Sequence, residues 1–234
     1  MKGNIIRHLV ILFLLFCCIT AIIINKDRNA AVTTGAVEAR AVPTLVIDPG
    51  HGGMDGGAVS AEGQRESEIN LAIALKMNDL LHLFGICPIM TRTDEALEYP
   101  ESAVTTREKK VWDQKRRVEL VNSCAPAILI SIHQNQYPDI RPSGVQVFYG
   151  REEGSEALGV LLHENLQSAF CPESRRVAAP ISDSIYLMKH VTCPAALVEC
   201  GFLSNPEEAK KLADNGYQTA LAAVLCASCL QYSG

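Results

Sequence analysis

Three short apolar runs, each followed at once by a residue that can bind a metal or move a proton, constrain the fold of this chain. Residues 45–47 lead into Asp48, residues 127–132 into His133, and residues 195–198 into Glu199. Apolar runs of this length are typical of buried strands in a parallel sheet. Functional residues in such sheets gather beyond the carboxyl ends of the strands. The pattern therefore predicts a site at one edge of a sheet.

Strand-like and helix-like segments alternate from Pro43 onward, which favours an α/β fold. We expect a mixed, largely parallel central sheet of about six strands, flanked by helices on both faces. Strands are predicted at 44–48, 87–91, 127–132, 145–149, 184–188 and 195–199. Helices are predicted at 67–84, 112–123, 155–170 and 217–230, with a further helix starting at Asn205-Pro206 and a loop or lid at 92–108.

Composition limits the classes of function. The chain has 234 residues, of which 48% are hydrophobic and 20% charged, and its net charge is −5. This length suits one globular domain with an appendage. A uniformly basic surface is not indicated, so we expect no nucleic-acid partner.

The appendage is N-terminal. Lys2 and Arg7 precede an apolar stretch at residues 9–24, which is slightly short of the roughly 17–25 residues of a membrane span. We interpret residues 1–42 as an export signal or membrane anchor followed by a polar tether, with the domain at 43–234. The chain is then exported and extracytoplasmic, either membrane-anchored or secreted. Cleavage of the segment stays open, and Phe16 disfavours lipidation at Cys17.

Seven of the nine cysteines lie in the domain, at irregular spacing. We interpret them as free, buried thiols that pack as small hydrophobic side chains. Cys226 and Cys229 form a C-x-x-C pair within a helical pattern, which indicates packing because no second pair is present.

Two histidines and two glutamates supply the components of a catalytic zinc site with a general base: His51, Glu66, His133 and Glu199. If the strands before His51 and His133 pair in parallel, the two imidazoles lie side by side. Glu66 stands at the start of the first long helix, where the helix dipole alone could also explain it. Burial of Glu199 behind an apolar strand would raise its pKa, as a general base requires.

Several neighbouring residues keep more than one interpretation. Asp48 or Asp55 could orient the His51 ring through its second nitrogen. Arg117 and Asn122 could hold the loop at the site or merely cap and pair. The remaining histidines are expected to be structural or solvated: His8, His82, His163 and His190.

Four segments, in this order along the chain, resemble the motifs of the zinc-dependent N-acetylmuramoyl-L-alanine amidases. They are residues 46–53 (VIDPGHGG), Glu66 ahead of residues 70–74 (NLAIA), residues 131–133 (SIH) and residues 197–205 (LVECGFLSN). The similarity covers residues 44–232. A further set resembles the sporulation type of this family: Lys109, Lys110, Asp113, Arg117, Asn122 and Gln134-Asn135.

The resemblance implies one Zn²⁺ bound by His51, Glu66 and His133, with Glu199 activating the attacking water. The substrate is then peptidoglycan, cleaved between N-acetylmuramic acid and L-alanine of the stem peptide. In the sporulation type, the bare muramic acid becomes muramic δ-lactam of the spore cortex through a separate deacetylase. Asp48, Arg117 and Asn135 are expected to contact substrate or to support the site.

Two departures from the family pattern affect these expectations. Gln134 stands where many relatives have a small residue, which leaves the substrate contacts open. Residues 134–194 are short for the inhibitory helix of the division enzymes, and no wall-binding repeats are recognisable. Targeting would then come from the N-terminal anchor or from a partner protein, which could also activate the enzyme.

Three rival interpretations remain at this point. One is another zinc peptidoglycan hydrolase, such as a deacetylase or carboxypeptidase. The second is a non-catalytic wall-binding protein. The third is a hydrolase in which Ser131 or Cys200 acts as the nucleophile with a histidine.

Overall fold

The computed structural model describes residues 43–233. In this part of the chain six strands and six helices alternate. The strands are Thr44–Pro49 (β1), Ile89–Met90 (β2), Ala127–Asn135 (β3), Gln146–Tyr149 (β4), Ala179–Pro180 (β5) and Ala195–Phe202 (β6). The helices are Glu66–Leu83 (α1), Thr106–Ser123 (α2), Ser155–Phe170 (α3), Tyr186–His190 (α4), Pro206–Leu212 (α5) and Asn215–Ser233 (α6).

The strands form one six-stranded sheet in the order β2-β1-β3-β6-β4-β5. All neighbours pair in parallel except β4, which runs antiparallel to β6. The predicted mixed, largely parallel sheet is therefore confirmed. Because β1, β3 and β6 are adjacent and parallel, their carboxyl ends meet at the same edge of the sheet.

Helices cover both faces of this sheet, as predicted. The larger core lies under α1, α3 and α6 and contains fully buried side chains such as Ile73, Leu162 and Leu221. The smaller core lies under α2 and α4 and includes Val121 and Leu187. Complete burial of a large aliphatic side chain contributes about 1.5–3 kcal/mol, so these two layers hold the strand ends in place.

The predicted secondary structure differs from the structure in one element type, one helix start and one additional strand. Residues 184–188 were expected to form a strand, but Tyr186–His190 is a short helix whose Leu187 and Met188 face the smaller core. Helix α2 starts six residues earlier than Trp112, at Thr106, because Thr105 and Glu108 form a capping box. The two-residue strand β5 was not predicted.

Other local predictions hold. Helix α3 has the predicted bounds, and the side chain of Asn205 caps α5 by accepting from the backbone N–H groups of Glu207 and Glu208. The seven cysteines of the domain are free thiols, as predicted, but the predicted burial was right for only four of them. Cys193, Cys200, Cys226 and Cys229 are buried, Cys124 and Cys171 are half-buried, and Cys87 is exposed.

The predicted export signal, anchor and tether at residues 1–42 lie outside the described residues. Within residues 43–233, none of the helices combines the length and the apolar character that crossing a bilayer requires.

Candidate metal centre

His51 lies in the glycine-rich loop between β1 and α1, in an unusual backbone conformation. Its φ angle is 60°, and Gly52 and Gly53 follow with φ angles of 124° and 58°. A left-handed backbone costs a non-glycine residue about 1–2 kcal/mol, so the surrounding structure must hold it. The loop also needs the glycine at position 50, because a Cβ there would overlap the His133 ring.

Two buried arginines hold this loop by its backbone carbonyl groups. Arg92 donates to the carbonyl oxygen of Pro49 at 2.9 Å and to that of Gly50 at 3.0 Å. Arg117, which is 1% exposed, donates to the carbonyl oxygens of Pro49 and His51. The guanidinium groups thereby fix the conformation from which the His51 ring projects.

Asp48 forms a buried ion pair with Arg117. Its carboxylate accepts from Arg117 Nη1, Thr91 Oγ1 and Ser131 Oγ, each at 2.6 Å. Burial opposes ionisation, but the Arg117 guanidinium and the two hydroxyl donors outweigh it and lower the pKa of Asp48 to about 2. Asp48 therefore supports the loop and does not contact the His51 ring.

Asp55 is the carboxylate that orients His51. Its Oδ2 accepts from His51 Nδ1 at 3.0 Å and also pairs with Lys110 Nζ at 2.8 Å. This arrangement leaves His51 Nε2 directed at Glu66 Oε1, 3.2 Å away. Of the two candidates that the sequence left open, the structure selects Asp55.

Glu66 is the first residue of α1 and is 3% exposed. Its Oε2 accepts from the backbone N–H of Ala58 at 2.8 Å, which fixes the carboxylate. Its Oε1 lies 2.9 Å from His133 Nδ1 and 3.1 Å from the backbone N of Gln134. The position at the helix start was predicted, and the carboxylate points to the end of β3.

His51, Glu66 and His133 come together as one cluster. Each offers one ligand atom, and these atoms lie within 4.8 Å of one another. Two imidazole nitrogens and one carboxylate oxygen are a donor set that zinc accepts, with a further position open to water or substrate. Within residues 43–233 the structure thus contains a group that could hold one metal ion.

The electrostatics of this cluster favour a cation. Burial disfavours a charged His51 ring, but hydrogen bonds to Asp55 and Glu66 outweigh it and raise the pKa of His51 to about 9. Burial likewise opposes ionisation of Glu66, yet His133 and His51 hold the pKa of its carboxyl well below the usual range. A metal ion would replace the proton shared by these groups.

Glu199 lies on β6 directly beside His133 on β3, since the two residues are register partners. Its Oε2 is buried and has no hydrogen-bond partner in the part of the chain that the structure describes. Burial, reinforced by the nearby Glu66, raises the pKa of Glu199 to about 7, although His133 opposes the shift. An unpartnered carboxylate with a pKa near neutrality can accept a proton and release it again.

These residues line a cleft of about 600 Å³. Asn135, at the end of β3, and Lys110 line it, together with Ile185 and Tyr186 at the start of α4. Gln134 is 3% exposed and donates to Asn70 Oδ1 at 3.1 Å. The cleft therefore has both charged and apolar lining side chains.

Other candidates from the sequence lie away from the reacting groups. Asn122 contacts the backbone of His190 and Thr192, and His163 is buried against the carbonyl oxygen of Arg176. Ser131 Oγ donates to Asp48 rather than to a histidine, and burial raises the pKa of Cys200 to about 12. Neither residue is placed to act as a nucleophile.

Sequence reasoning missed Arg92, which holds the loop across 42 residues of chain. Its signal was indirect, since Arg92 lies two residues after β2, at the same sheet edge as the loop.

The arrangement defines a class of protein: a mixed α/β protein with a His/Glu/His cluster that could hold a metal ion at the edge of its sheet. Residues 45–230 match the family model described as N-acetylmuramoyl-L-alanine amidase. The chain therefore belongs to the N-acetylmuramoyl-L-alanine amidase family, whose members are hydrolases of the bacterial cell wall.

Similar proteins agree with this assignment. The germination-specific N-acetylmuramoyl-L-alanine amidase of Bacillus subtilis is 36% identical over 189 residues, which cover 80% of this chain and 78% of that protein. The CwlD amidase of Clostridioides difficile, solved in complex with the GerS lipoprotein, has 35% identity and a TM-score of 0.77. That match covers 81% of this chain and 98% of the other.

A second solved structure, an N-acetylmuramoyl-L-alanine amidase from Clostridium difficile 630, has 28% identity and a TM-score of 0.69. The match covers 82% of this chain and 97% of the chain in that structure.

Proposed function

We propose that this chain is a zinc-dependent amidase that cleaves the bond between N-acetylmuramic acid and L-alanine of the stem peptide. The observation that carries the proposal is the cluster of His51, Glu66 and His133 beside the unpartnered Glu199, in a chain that belongs to the amidase family. One group of side chains is arranged for a cation, and one carboxylate is left free for a proton.

His51, Glu66 and His133 would hold the zinc ion. Their donor atoms suit zinc, and the buried Oε2 of Glu199 next to them has no hydrogen-bond partner among residues 43–233. When bound, zinc supplies the Lewis acidity that makes water a nucleophile near neutral pH and polarises a carbonyl group.

The chain's own residues perform the remaining steps. Glu199 accepts the proton of the attacking water and passes it to the nitrogen of the leaving L-alanine. This general acid–base role typically contributes about 10²–10⁴-fold in rate. Asp55 keeps the His51 ring oriented, while Asp48, Arg92 and Arg117 hold the loop through buried hydrogen bonds. Asn135, on the cleft wall, is placed to contact substrate.

The cellular role that we propose is spore cortex maturation, in which removal of the stem peptide prepares muramic acid for conversion to δ-lactam. The germination-specific relative from Bacillus subtilis supports this role. We further propose that residues 1–42 direct export and tether the domain outside the membrane. The complex of the CwlD amidase with a lipoprotein supports the expectation of an accessory protein for this chain.

Mass spectrometry of digested peptidoglycan tests the proposed reaction. The purified chain should release stem peptides with a free L-alanine amine and should leave the N-acetyl groups intact. A chelator should abolish the release, and added zinc should restore it. Loss of acetyl groups, or cleavage within the peptide, would instead assign a deacetylase or a carboxypeptidase.

A further inference from the structure

A second cleft, with a volume of about 670 Å³, lies between residues 141–143 and residues 171–176. Three of its lining residues are arginines. Arg141 is already neutralised by Asp139, with Nε 2.8 Å from Oδ2. Within residues 43–233, Arg175 and Arg176 form no ion pair with a carboxylate, and Glu173 is the acidic residue on the cleft wall. The cleft therefore presents two uncompensated guanidinium groups.

Arg176 is held in place by neutral contacts. Its carbonyl oxygen accepts from His163 Nε2 at 2.9 Å and from Gln167 Nε2 at 3.1 Å. Its guanidinium lies over the Phe202 ring, 4.9 Å from the centroid, and donates through Nη1 to the carbonyl oxygen of Ser143. A guanidinium fixed in this way, with no acid to pair with, suits a carboxylate or phosphate of a ligand.

This arginine cleft lies at the same edge of the sheet as the metal centre. Gln146, the first residue of β4, is the register partner of Glu199 on β6. Its Nε2 donates at 2.8 Å to the carbonyl oxygen of Val177, which follows Arg176 directly. From β6 across β4 to the segment that leads into β5 is two strand spacings, or about 10 Å. An extended peptide covers that distance in about three residues.

We propose that the arginine cleft binds a free carboxylate of the stem peptide, about three residues beyond the scissile amide. The inference rests on the proposed function. In that reaction Glu199, on β6, protonates the leaving amine of the peptide, so the peptide must lie on the β6 side of the site. Phosphate of an anionic wall polymer shares the chemistry of this ligand. The peptide carboxylate is favoured because it is covalently joined to the reacting group.

The test compares the wild-type chain with an Arg175→Gln/Arg176→Gln double variant on peptidoglycan sacculi freed of phosphate polymers. One portion of the sacculi keeps its carboxyl groups, and the other is converted to amides with carbodiimide and ammonia. On native sacculi the double variant should show a KM raised about tenfold with kcat unchanged. On amidated sacculi the wild-type KM should rise to the value of the double variant, whose own KM should not change.

Lys210→Gln is the matched control, because this exposed cation on α5 lies outside both clefts and its loss removes one positive charge, as each arginine substitution does. It should keep the wild-type KM. The single variant Arg175→Gln changes only an exposed side chain, so it remains informative if the double variant misfolds. Its KM should lie between those of the wild type and the double variant.

Three outcomes overturn the inference: an unchanged KM of the double variant on native sacculi, an equal effect of amidation on both proteins, or a difference that appears only when phosphate polymers are left attached. Failure of the wild type to release L-alanine amines would overturn the proposed function instead.

Discussion

The two glutamates of the site, Glu66 and Glu199, occupy opposite surroundings although both face His133. Glu66, at the start of α1, is contacted by two imidazoles and by backbone N–H groups, and its pKa is lowered. Glu199, on β6, has a buried oxygen that no described residue contacts through a hydrogen bond, and its pKa is raised to about 7. The same side chain is thus prepared for two tasks by its neighbours alone.

The difference continues into the elements behind each residue. The β1–α1 side carries a buried network in which Asp48, Arg92 and Arg117 fix the loop of His51. The β6 side is backed by apolar residues such as Val198 and Leu197. A network with many partners holds a ligand set rigid, whereas an apolar surrounding leaves a carboxylate able to change its protonation.

The largest effect is expected from removing one of the three clustered residues around Glu66. His51→Ala, Glu66→Ala or His133→Ala should each lose zinc and activity together, because three protein ligands are needed to retain the ion. Metal analysis of the purified variants checks this result. His163→Ala serves as the control, since that histidine lies outside the cluster, and it should keep zinc. Full zinc occupancy in the Glu66 variant would remove that residue from the ligand set.

A substitution of Glu199 should lower activity without lowering metal binding. Glu199→Gln keeps the shape of the side chain but cannot take up a proton, so kcat should fall by about 10²–10⁴-fold. Zinc content should match the wild type. Normal turnover in this variant would contradict the assignment of Glu199 as the base.

Arg117→Met should disrupt the support of the loop. It removes one partner of a buried ion pair and leaves the Asp48 carboxylate unpaired, which typically costs about 3–5 kcal/mol. Denaturant unfolding measures the loss. Arg116→Met, at a half-exposed neighbour on the same helix, should cost much less. Equal losses in both variants would show that Arg117 has no special role.

The stability of the chain should also depend on Asp48 at acidic pH. Its pKa is lowered from 3.8 to about 2 in the folded state. The ionised form therefore stabilises the fold fully above pH 4, and this contribution of about 2 kcal/mol is lost as the pH falls toward 2. The difference in unfolding free energy between wild type and Asp48→Asn should shrink over this interval. A constant difference would argue against the lowered pKa.

The smallest effect is expected from thiol chemistry. Cys87 is exposed and far in sequence from the site residues, so Cys87→Ser should keep activity within about twofold. Alkylation of the folded wild type should modify this cysteine without inhibition. Inhibition that persists in the Cys87→Ser variant would reopen a cysteine mechanism.

Local sequence patterns were sufficient to predict much of the fold. The apolar runs before Asp48, His133 and Glu199 predicted three strands, because a buried parallel strand must be apolar on both faces, and the structure places these strands side by side. The helical periodicity after Ser155 gave α3 its bounds. The prediction for segment 184–188 failed because Ile185 and Leu187 alternate with polar neighbours like a strand, although burial of the adjacent Leu187 and Met188 suits a helical turn.

Contacts across the chain could not be predicted in the same way. The pairing of Arg92 with the carbonyl oxygen of Gly50, and the choice of Asp55 over Asp48 for the His51 ring, depend on where a loop closes in space. The capping box of Thr105 and Glu108 was by contrast readable from the sequence and would have placed the start of α2.

The most direct test of the account is anomalous diffraction at the zinc absorption edge from crystals of the chain. We predict a single peak at the sheet edge, about 2.0–2.2 Å from one atom each of His51, Glu66 and His133, with Glu199 outside the ligand distance. An active crystalline enzyme with its zinc at other residues, or with Glu199 among the ligands, would contradict the division of the site into a partnered and a free carboxylate.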